Sequence, residues 1–165
     1  MVSRSALLLE DEALTQWFAL AATPPEIAPT WQLELHAPRL LSCGITFDIV
    51  LCDRTLAEEA YRLLRSYEQT LGPAVLLPAL RLVAVLVPPR TAARWSELMA
   101  ATQWPDRRPR PRCLGSGHII CVPAMAPPVA GSAQWFQEPE AEASVGFAPA
   151  LTASRLDPIE ALRYE

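Results

Sequence analysis

At 165 residues the chain is long enough for one domain that buries roughly two-thirds of its unfolded surface. Hydrophobic residues make up 51% of it and charged residues 19%, which excludes a disordered protein. The net charge of −4 argues against nucleic-acid binding through a general positive field. All fourteen basic residues are arginine, a bias typical of high-GC genomes, so we expect an actinobacterial source. Because this bias alone can explain the arginines, we do not interpret each of them as a binding residue.

Apolar residues recur at helical spacing over residues 5–21 and predict a helix that includes Trp17 and Phe18. A proline-rich stretch then breaks the pattern. We therefore predict a helical appendage over 1–22, a linker over 23–30 and a domain over 31–165. Because the linker frees the helix, Trp17 and Phe18 are candidates for binding a protein partner or a second copy of the chain.

The rest of the chain alternates strand and helix patterns. Strands are predicted over 31–36, 47–52, 74–77, 82–87, 118–122 and 133–136, and helices over 53–69, 91–101 and 157–163. A helical turn is predicted at 40–43, Thr55 with Glu58 fits a capping box, and Tyr67 is expected in the core. Hairpins and strand–helix crossovers together indicate an α+β fold, with a mixed sheet and flanking helices in a single domain.

The four cysteines lack the close pairs that zinc sites use. We interpret them as small buried apolar residues in a reducing compartment, and we expect no metal centre. The N-terminus has too short an apolar core for a signal peptide, and no run approaches the ~18 apolar residues of a membrane span. These features predict a cytoplasmic protein that makes no membrane contact.

The segment from Arg112 to Trp135 concentrates glycine, proline and cysteine around His118. Gly115, Ser116 and Gly117 could present backbone amides to an anion, although the turn leads into a strand and not into a helix, unlike a P-loop. Ser116 and His118 are two residues apart, but nothing indicates the acid that a serine hydrolase needs. We therefore interpret His118 as a structural or solvent-facing histidine.

The stretch from Gly115 to Trp135 resembles the late motif of the bifunctional DNA primase/polymerase N-terminal domains, in the archaeo-eukaryotic primase superfamily. That motif has a glycine-led apolar strand, a proline–serine loop, a glycine and an aromatic strand. Residues 43–50 resemble the strand with the family's first acidic motif, and residues 82–89 resemble its middle strand. The resemblance covers about residues 38–137. It implies a primase-polymerase-like fold, a role in DNA replication, and nucleotidyl transfer with Mg²⁺ or Mn²⁺.

Two features depart from the family's pattern. Its metal site needs two carboxylates two residues apart on one strand, whereas Asp48 and Asp53 are five apart, which sends them to opposite faces. The middle strand also lacks the family's histidine. We therefore expect a non-catalytic binding or regulatory domain. An active nucleotidyl-transfer enzyme with displaced ligands (Asp48, Asp53 and His118) stays open as an alternative, and so does a homo-oligomeric structural protein.

A run of arginines is the best candidate for nucleic-acid binding. Its members are Arg107, Arg108, Arg110 and Arg112. Interspersed prolines keep the segment extended, and Trp104 just before it could stack on a base. The alternatives are a solvated loop, or a loop that pairs with the acidic stretch 138–142.

Overall fold

The computed structural model describes residues 18–26, 38–67, 72–123 and 133–138 of the chain. Its elements in chain order are β1 (Arg39–Ser42), β2 (Asp48–Asp53), α1 (Arg54–Ser66), β3 (Ala74–Leu77), β4 (Leu82–Val87), α2 (Thr91–Ala100), β5 (Arg112–Leu114), β6 (Ile119–Val122) and β7 (Gln134–Gln137). The predicted α+β class is confirmed. The strand predicted over 31–36 and the helix predicted over 157–163 lie outside the described residues.

The main sheet has five strands in the order β5-β2-β4-β3-β7, and all neighbouring strands are antiparallel. Helix α1 joins β2 to β3, and α2 joins β4 to β5. Each helix therefore connects two strands that run parallel to each other and are separated by one strand. These are two interlocked split β-α-β units, as in ferredoxin-like folds. Strands β1 and β6 pair separately as a two-stranded ribbon.

The main sheet is the middle layer of three. Because side chains alternate along a strand, β2 sends Val50 and Cys52 toward the helices and Ile49 and Leu51 toward the ribbon. Both faces are therefore buried, which explains why β2 and β4 are almost continuously apolar in sequence.

Residues 18–22, at the end of the predicted appendage, belong to the ribbon layer. Phe18 is completely buried and stacks on Trp135 with ring centroids 6.2 Å apart. Ala22 forms an antiparallel bridge with Leu41. The structure therefore uses Phe18 as a core residue, and its ring is not available to a partner. Trp17 lies outside the described residues.

The helical turn predicted at 40–43 is wrong, because residues 40–42 belong to strand β1. The Ser42 N–H donates to Ala21 O at 2.7 Å, and Leu40 lies opposite Cys121 of β6. Neighbours on both sides override the local helical pattern.

The N-cap of helix α1 lies two residues before the predicted cap, Thr55. Asp53 is the N-cap, and its Oδ1 accepts the Leu56 N–H at 2.9 Å, so the predicted box of Thr55 and Glu58 is wrong. The helix ends at Ser66, which leaves Tyr67 exposed and not in the core as predicted.

The predicted β3–β4 hairpin is confirmed, with Arg81 closing it in the left-handed region at φ 56°. Strands β6 and β7 are close to their predicted positions but lie in different sheets. The sequence pattern did not predict β5, whose three residues follow a proline-rich segment.

Candidate functional site

A buried carboxylate stands where β2 meets α2. Asp48 is 1% exposed, and its Oδ2 accepts the Ala92 N–H at 2.8 Å. Ala92 is in the first turn of α2, where backbone N–H groups lack partners within the helix and favour a negative charge. The N-cap residue Arg90 makes no capping hydrogen bond with its side chain, and Asp48 of the distant strand β2 accepts an N–H of the first turn instead. No sequence pattern indicated this cap, because its acceptor lies 44 positions before Ala92.

Gly115 packs directly against this junction. A methyl group on its Cα would lie 2.8 Å from Ala92 Cβ and 3.4 Å from Asp48 Oδ1. The missing side chain therefore lets the end of β5 approach α2. Among the described residues, no group lies within hydrogen-bond distance of Asp48 Oδ1.

His118 closes the turn that follows Gly115. Its backbone N–H donates to Gly115 O at 3.2 Å, and its Nδ1 lies 3.1 Å from the same oxygen. Because a carbonyl oxygen only accepts, Nδ1 carries the hydrogen in this contact. His118 O in turn accepts the Cys43 N–H at 2.9 Å. The imidazole thus bonds the main chain, and the Gly115-Ser116-Gly117 segment, predicted to bind an anion, forms a turn with Gly117 at φ 88°.

The candidate catalytic residues do not assemble into one centre. Asp48 and His118 both neighbour Gly115, but Asp48 is buried whereas His118 is exposed. Asp53 lies at the far end of β2, roughly 17 Å away by strand rise, where it caps α1. Over the residues that the structure describes, no three His, Cys, Asp or Glu side chains are grouped to hold a metal ion.

Two buried thiols lie close to the acidic residues. Burial raises the pKa of Cys43 from 9.0 to about 11, and the charge of Asp48 adds to the rise. Burial likewise raises the pKa of Cys52 to about 12, with Asp53 contributing. Both thiols are therefore protonated at neutral pH and are poor nucleophiles.

The arginine run begins in a turn held from three sides. The Arg108 N–H donates to Pro105 O at 3.1 Å, and the Trp104 Nε1–H donates to Arg108 O at 3.0 Å. The Arg108 guanidinium bonds Glu59 of α1 at 2.8 Å. Trp104 is half-buried and packs against the helix-side core. Its indole therefore stabilises this turn. Nothing in the sequence indicated that Glu59 pairs with Arg108.

Three further arginines face solvent on the same segment. We call Arg107, Arg110 and Arg112 the basic edge, since β5 is an edge strand of the described sheet. Pro111 between them is buried, and its carbonyl accepts the Trp95 Nε1–H of α2 at 3.3 Å. The described salt bridges, Arg54–Glu58 and Arg108–Glu59, involve none of the three.

Charge is distributed unevenly along the chain. The described residues contain eleven arginines and eight carboxylates, a net charge of +3. Since the whole chain carries −4, the remaining residues carry −7. The part of the chain that the structure describes is therefore basic, although the whole chain is acidic.

The chain matches no protein-family model, no curated protein sequence and no solved structure. No helix within the described ranges is long and apolar enough to cross a membrane.

Proposed function

We propose that the chain is a non-catalytic nucleic-acid-binding domain, and that its basic edge contacts the phosphate backbone. The observation that carries this proposal is the exposure of Arg107, Arg110 and Arg112 on one rigidly held segment of a positively charged body. Guanidinium groups are well suited to phosphate because their planar donors match its oxygens. The resemblance of residues 38–137 to primase-polymerase domains is in keeping with such a ligand.

The layers of the fold favour phosphate contacts over base contacts. Both faces of the main sheet are buried, so bases have no open sheet surface on which to stack. Trp104 donates its indole N–H within its own loop. Binding should therefore depend little on sequence and strongly on salt.

The basic edge is held in place before any ligand arrives. Trp104 and Trp95 each bond a carbonyl of the segment, at Arg108 and Pro111, and Glu59 fixes the intervening guanidinium. A segment that is already ordered loses less conformational entropy on binding.

Fluorescence anisotropy with a labelled single-stranded oligonucleotide of about 20 nucleotides, titrated from about 25 to about 200 mM NaCl, tests the proposal. Three contacts predict a slope of log K against log salt of about −2, because each single-strand phosphate contact contributes roughly −0.7. The double variant Arg110→Ala/Arg112→Ala should bind more weakly and reduce the slope to about −0.7.

The matched control is Arg54→Ala/Arg62→Ala on α1, which removes the same charge elsewhere. It should keep most of the affinity. Equal losses in the two double variants, or no binding by the unmodified chain at the lowest salt, would refute the proposed surface. A duplex of the same length distinguishes single-strand from general phosphate binding.

A further inference from the structure

Two more exposed arginines lie on α2, the helix that precedes the basic edge. Arg90 is the N-cap of this helix and Arg94 is in its first turns, and both side chains are exposed. Neither takes part in the salt bridges of the described residues. The connection from β4 through β5, residues 88–114, contains six arginines and two carboxylates, a net charge of +4. Positive charge therefore extends from the basic edge onto α2.

Helix α2 rests on the segment that carries the basic edge. A methyl group on Gly115 would lie 2.8 Å from Ala92 Cβ, and the Trp95 Nε1–H donates to Pro111 O at 3.3 Å. Arg94 lies between these two contact points of the helix. Because the helix touches the segment at both points, the spacing between their arginines is set by the fold.

The direction in which the arginines of α2 project follows from the handedness of the connection. The chain passes from β4 across β2 to β5, and β4 and β5 are parallel. Such crossovers are right-handed in about 98% of cases. Trp95 packs into the helix-side core and so turns its side of α2 toward the sheet. In a right-handed crossover, positions 90 and 94 then face the outer side of β5, away from α1.

The four arginines at this edge form two pairs with similar spacing. Arg110 and Arg112, on either side of buried Pro111, are roughly 7 Å apart in an extended chain. Arg90 and Arg94 are one helical turn apart, which places their Cβ atoms about 6 Å from each other. A helix with its side chains is about 10–12 Å across, so the second pair stands roughly 5–10 Å from the strand beneath it.

Double-stranded DNA presents two rows of phosphates with matching dimensions. The rows that border the minor groove of B-DNA are separated by about 6 Å, a gap that long arginine side chains can span from two neighbouring elements. Successive phosphates within one row have a spacing similar to that within each arginine pair. A single strand offers only one such row.

We infer that the ligand of the basic edge is double-stranded DNA, with Arg110 and Arg112 on one phosphate row and Arg90 and Arg94 on the row across the minor groove. This inference rests on the proposed function, because it specifies which nucleic acid the same surface binds. The contacts go to phosphates and not to base edges, so they position the protein without reading sequence.

Salt titrations with a DNA duplex of about 20 base pairs and with a single strand of the same length test the inference. Five contacts to the duplex, at roughly −0.9 each, predict a slope of log K against log salt of about −4.5, whereas the single strand keeps about −2. In the variant Arg90→Gly/Arg94→Ala the duplex slope should fall to about −2.7, and the single-strand slope should stay unchanged. Glycine replaces Arg90 because glycine adopts its φ of 73° freely.

The same variant makes a prediction that does not depend on absolute affinity. The advantage of the unmodified chain over the variant in duplex binding should shrink about tenfold between about 50 and about 200 mM NaCl. The control Arg54→Ala/Arg62→Ala on α1 removes the same charge and should keep the duplex slope of the unmodified chain. Urea midpoints of both variants establish that they remain folded. If Arg90→Gly/Arg94→Ala left the duplex slope unchanged, or lowered both slopes equally, the second phosphate row would be disproved.

The failure of this inference differs from the failure of the proposed function. If neither DNA binds at the lowest salt, the nucleic-acid function itself is wrong. If both bind through Arg110 and Arg112 while Arg90→Gly/Arg94→Ala behaves like the unmodified chain, the function stands and the second row is wrong.

Discussion

Asp48 and Asp53 begin and end the same strand, and each accepts a hydrogen bond from the first turn of a different helix. Asp48 receives the Ala92 N–H of α2 at 2.8 Å, and Asp53 receives the Leu56 N–H of α1 at 2.9 Å. The two carboxylates that the primase-polymerase resemblance singled out thus hold the helices against the sheet. We therefore expect substitution of either carboxylate to lower the stability of the fold.

Replacing Asp48 by alanine should destabilise the fold by about 1–3 kcal/mol, because the partly buried N–H of Ala92 loses its acceptor. Asp48→Asn keeps an acceptor oxygen and removes the buried charge, so it should remain close to the unmodified protein. Urea denaturation of both variants measures the difference. If asparagine were as damaging as alanine, the charge and not the acceptor would be the important property.

Mg²⁺ or Mn²⁺ added with a nucleotide should leave the thermal midpoint unchanged. Of the two candidate carboxylates, Asp48 lies beside Gly115 in the turn that holds His118, whereas Asp53 is roughly 17 Å away along β2. Two-metal chemistry requires carboxylates that share the ions. A saturable stabilisation that disappears in Asp48→Ala would instead establish the nucleotidyl-transfer alternative.

Phe18→Ala should destabilise the protein by about 3–5 kcal/mol, because the ring is completely buried against Trp135. Leu20→Ala, at a side chain that is 66% exposed, is the control and should change stability by less than about 0.5 kcal/mol. Chemical denaturation compares the two. A stable, folded Phe18→Ala protein would return this residue to the partner-binding role expected from sequence.

Gly115→Ala should destabilise by about 1–3 kcal/mol, because the new methyl would lie 2.8 Å from Ala92 Cβ. Gly117→Ala meets no neighbour, and its cost of about 1 kcal/mol would come only from its φ of 88°. Adding Ala92→Gly to Gly115→Ala relieves the clash, so the two changes should couple favourably in a double-mutant cycle. Simple additivity would show that the strand end and α2 are not in contact.

Stability should fall as the pH rises from 9 to 10. The unfolded thiols ionise near 9.0, whereas burial holds the pKa of Cys43 at about 11 and that of Cys52 at about 12. Above pH 9 the unfolded chain therefore releases protons that the folded chain keeps, and each fully buried thiol costs about 1 kcal/mol of stability between pH 9 and 10. Below pH 9 this stability is fully present.

Urea midpoints across this range measure the effect. Cys52→Ala should lower the slope by roughly a third to a half, because burial raises the pKa of Cys43 and of Cys121 as well. The range stops at pH 10 because burial also raises the pKa of Tyr61, whose unfolded form ionises near 10.0. The chain has no lysine to obscure the thiols. A flat profile would mean that the thiols ionise equally in both states.

Local patterns predicted those elements whose neighbours lie nearby in sequence. Strands β3 and β4 and the extent of α2 followed from apolar runs and proline stops. Strand β1 did not, since its form depends on β6, which lies about eighty residues later. Strand β5 is only three residues long and obtains its hydrogen bonds from β2.

Contacts between residues that are distant in sequence also limit what can be predicted of the candidate site. The arginines and their exposure could be expected from composition and prolines, but the pairing of Arg108 with Glu59 joins residues 49 positions apart. Asp48 was noticed for its acidity, and its role as a cap depends on the pairing of β2 with β4, which brings it opposite Val87. Periodicity records which side of an element is apolar and contains no information about such long-range partners.

The external cap of α2 also links the local opening of that helix to the integrity of the sheet. Ala92 donates to a residue 44 positions earlier, and that acceptor is in place only when β2 and β4 are paired. Hydrogen exchange at most helix N-termini reports fraying of the first turn. In this protein the exchange of the Ala92 amide reports separation of the helix from the central strands.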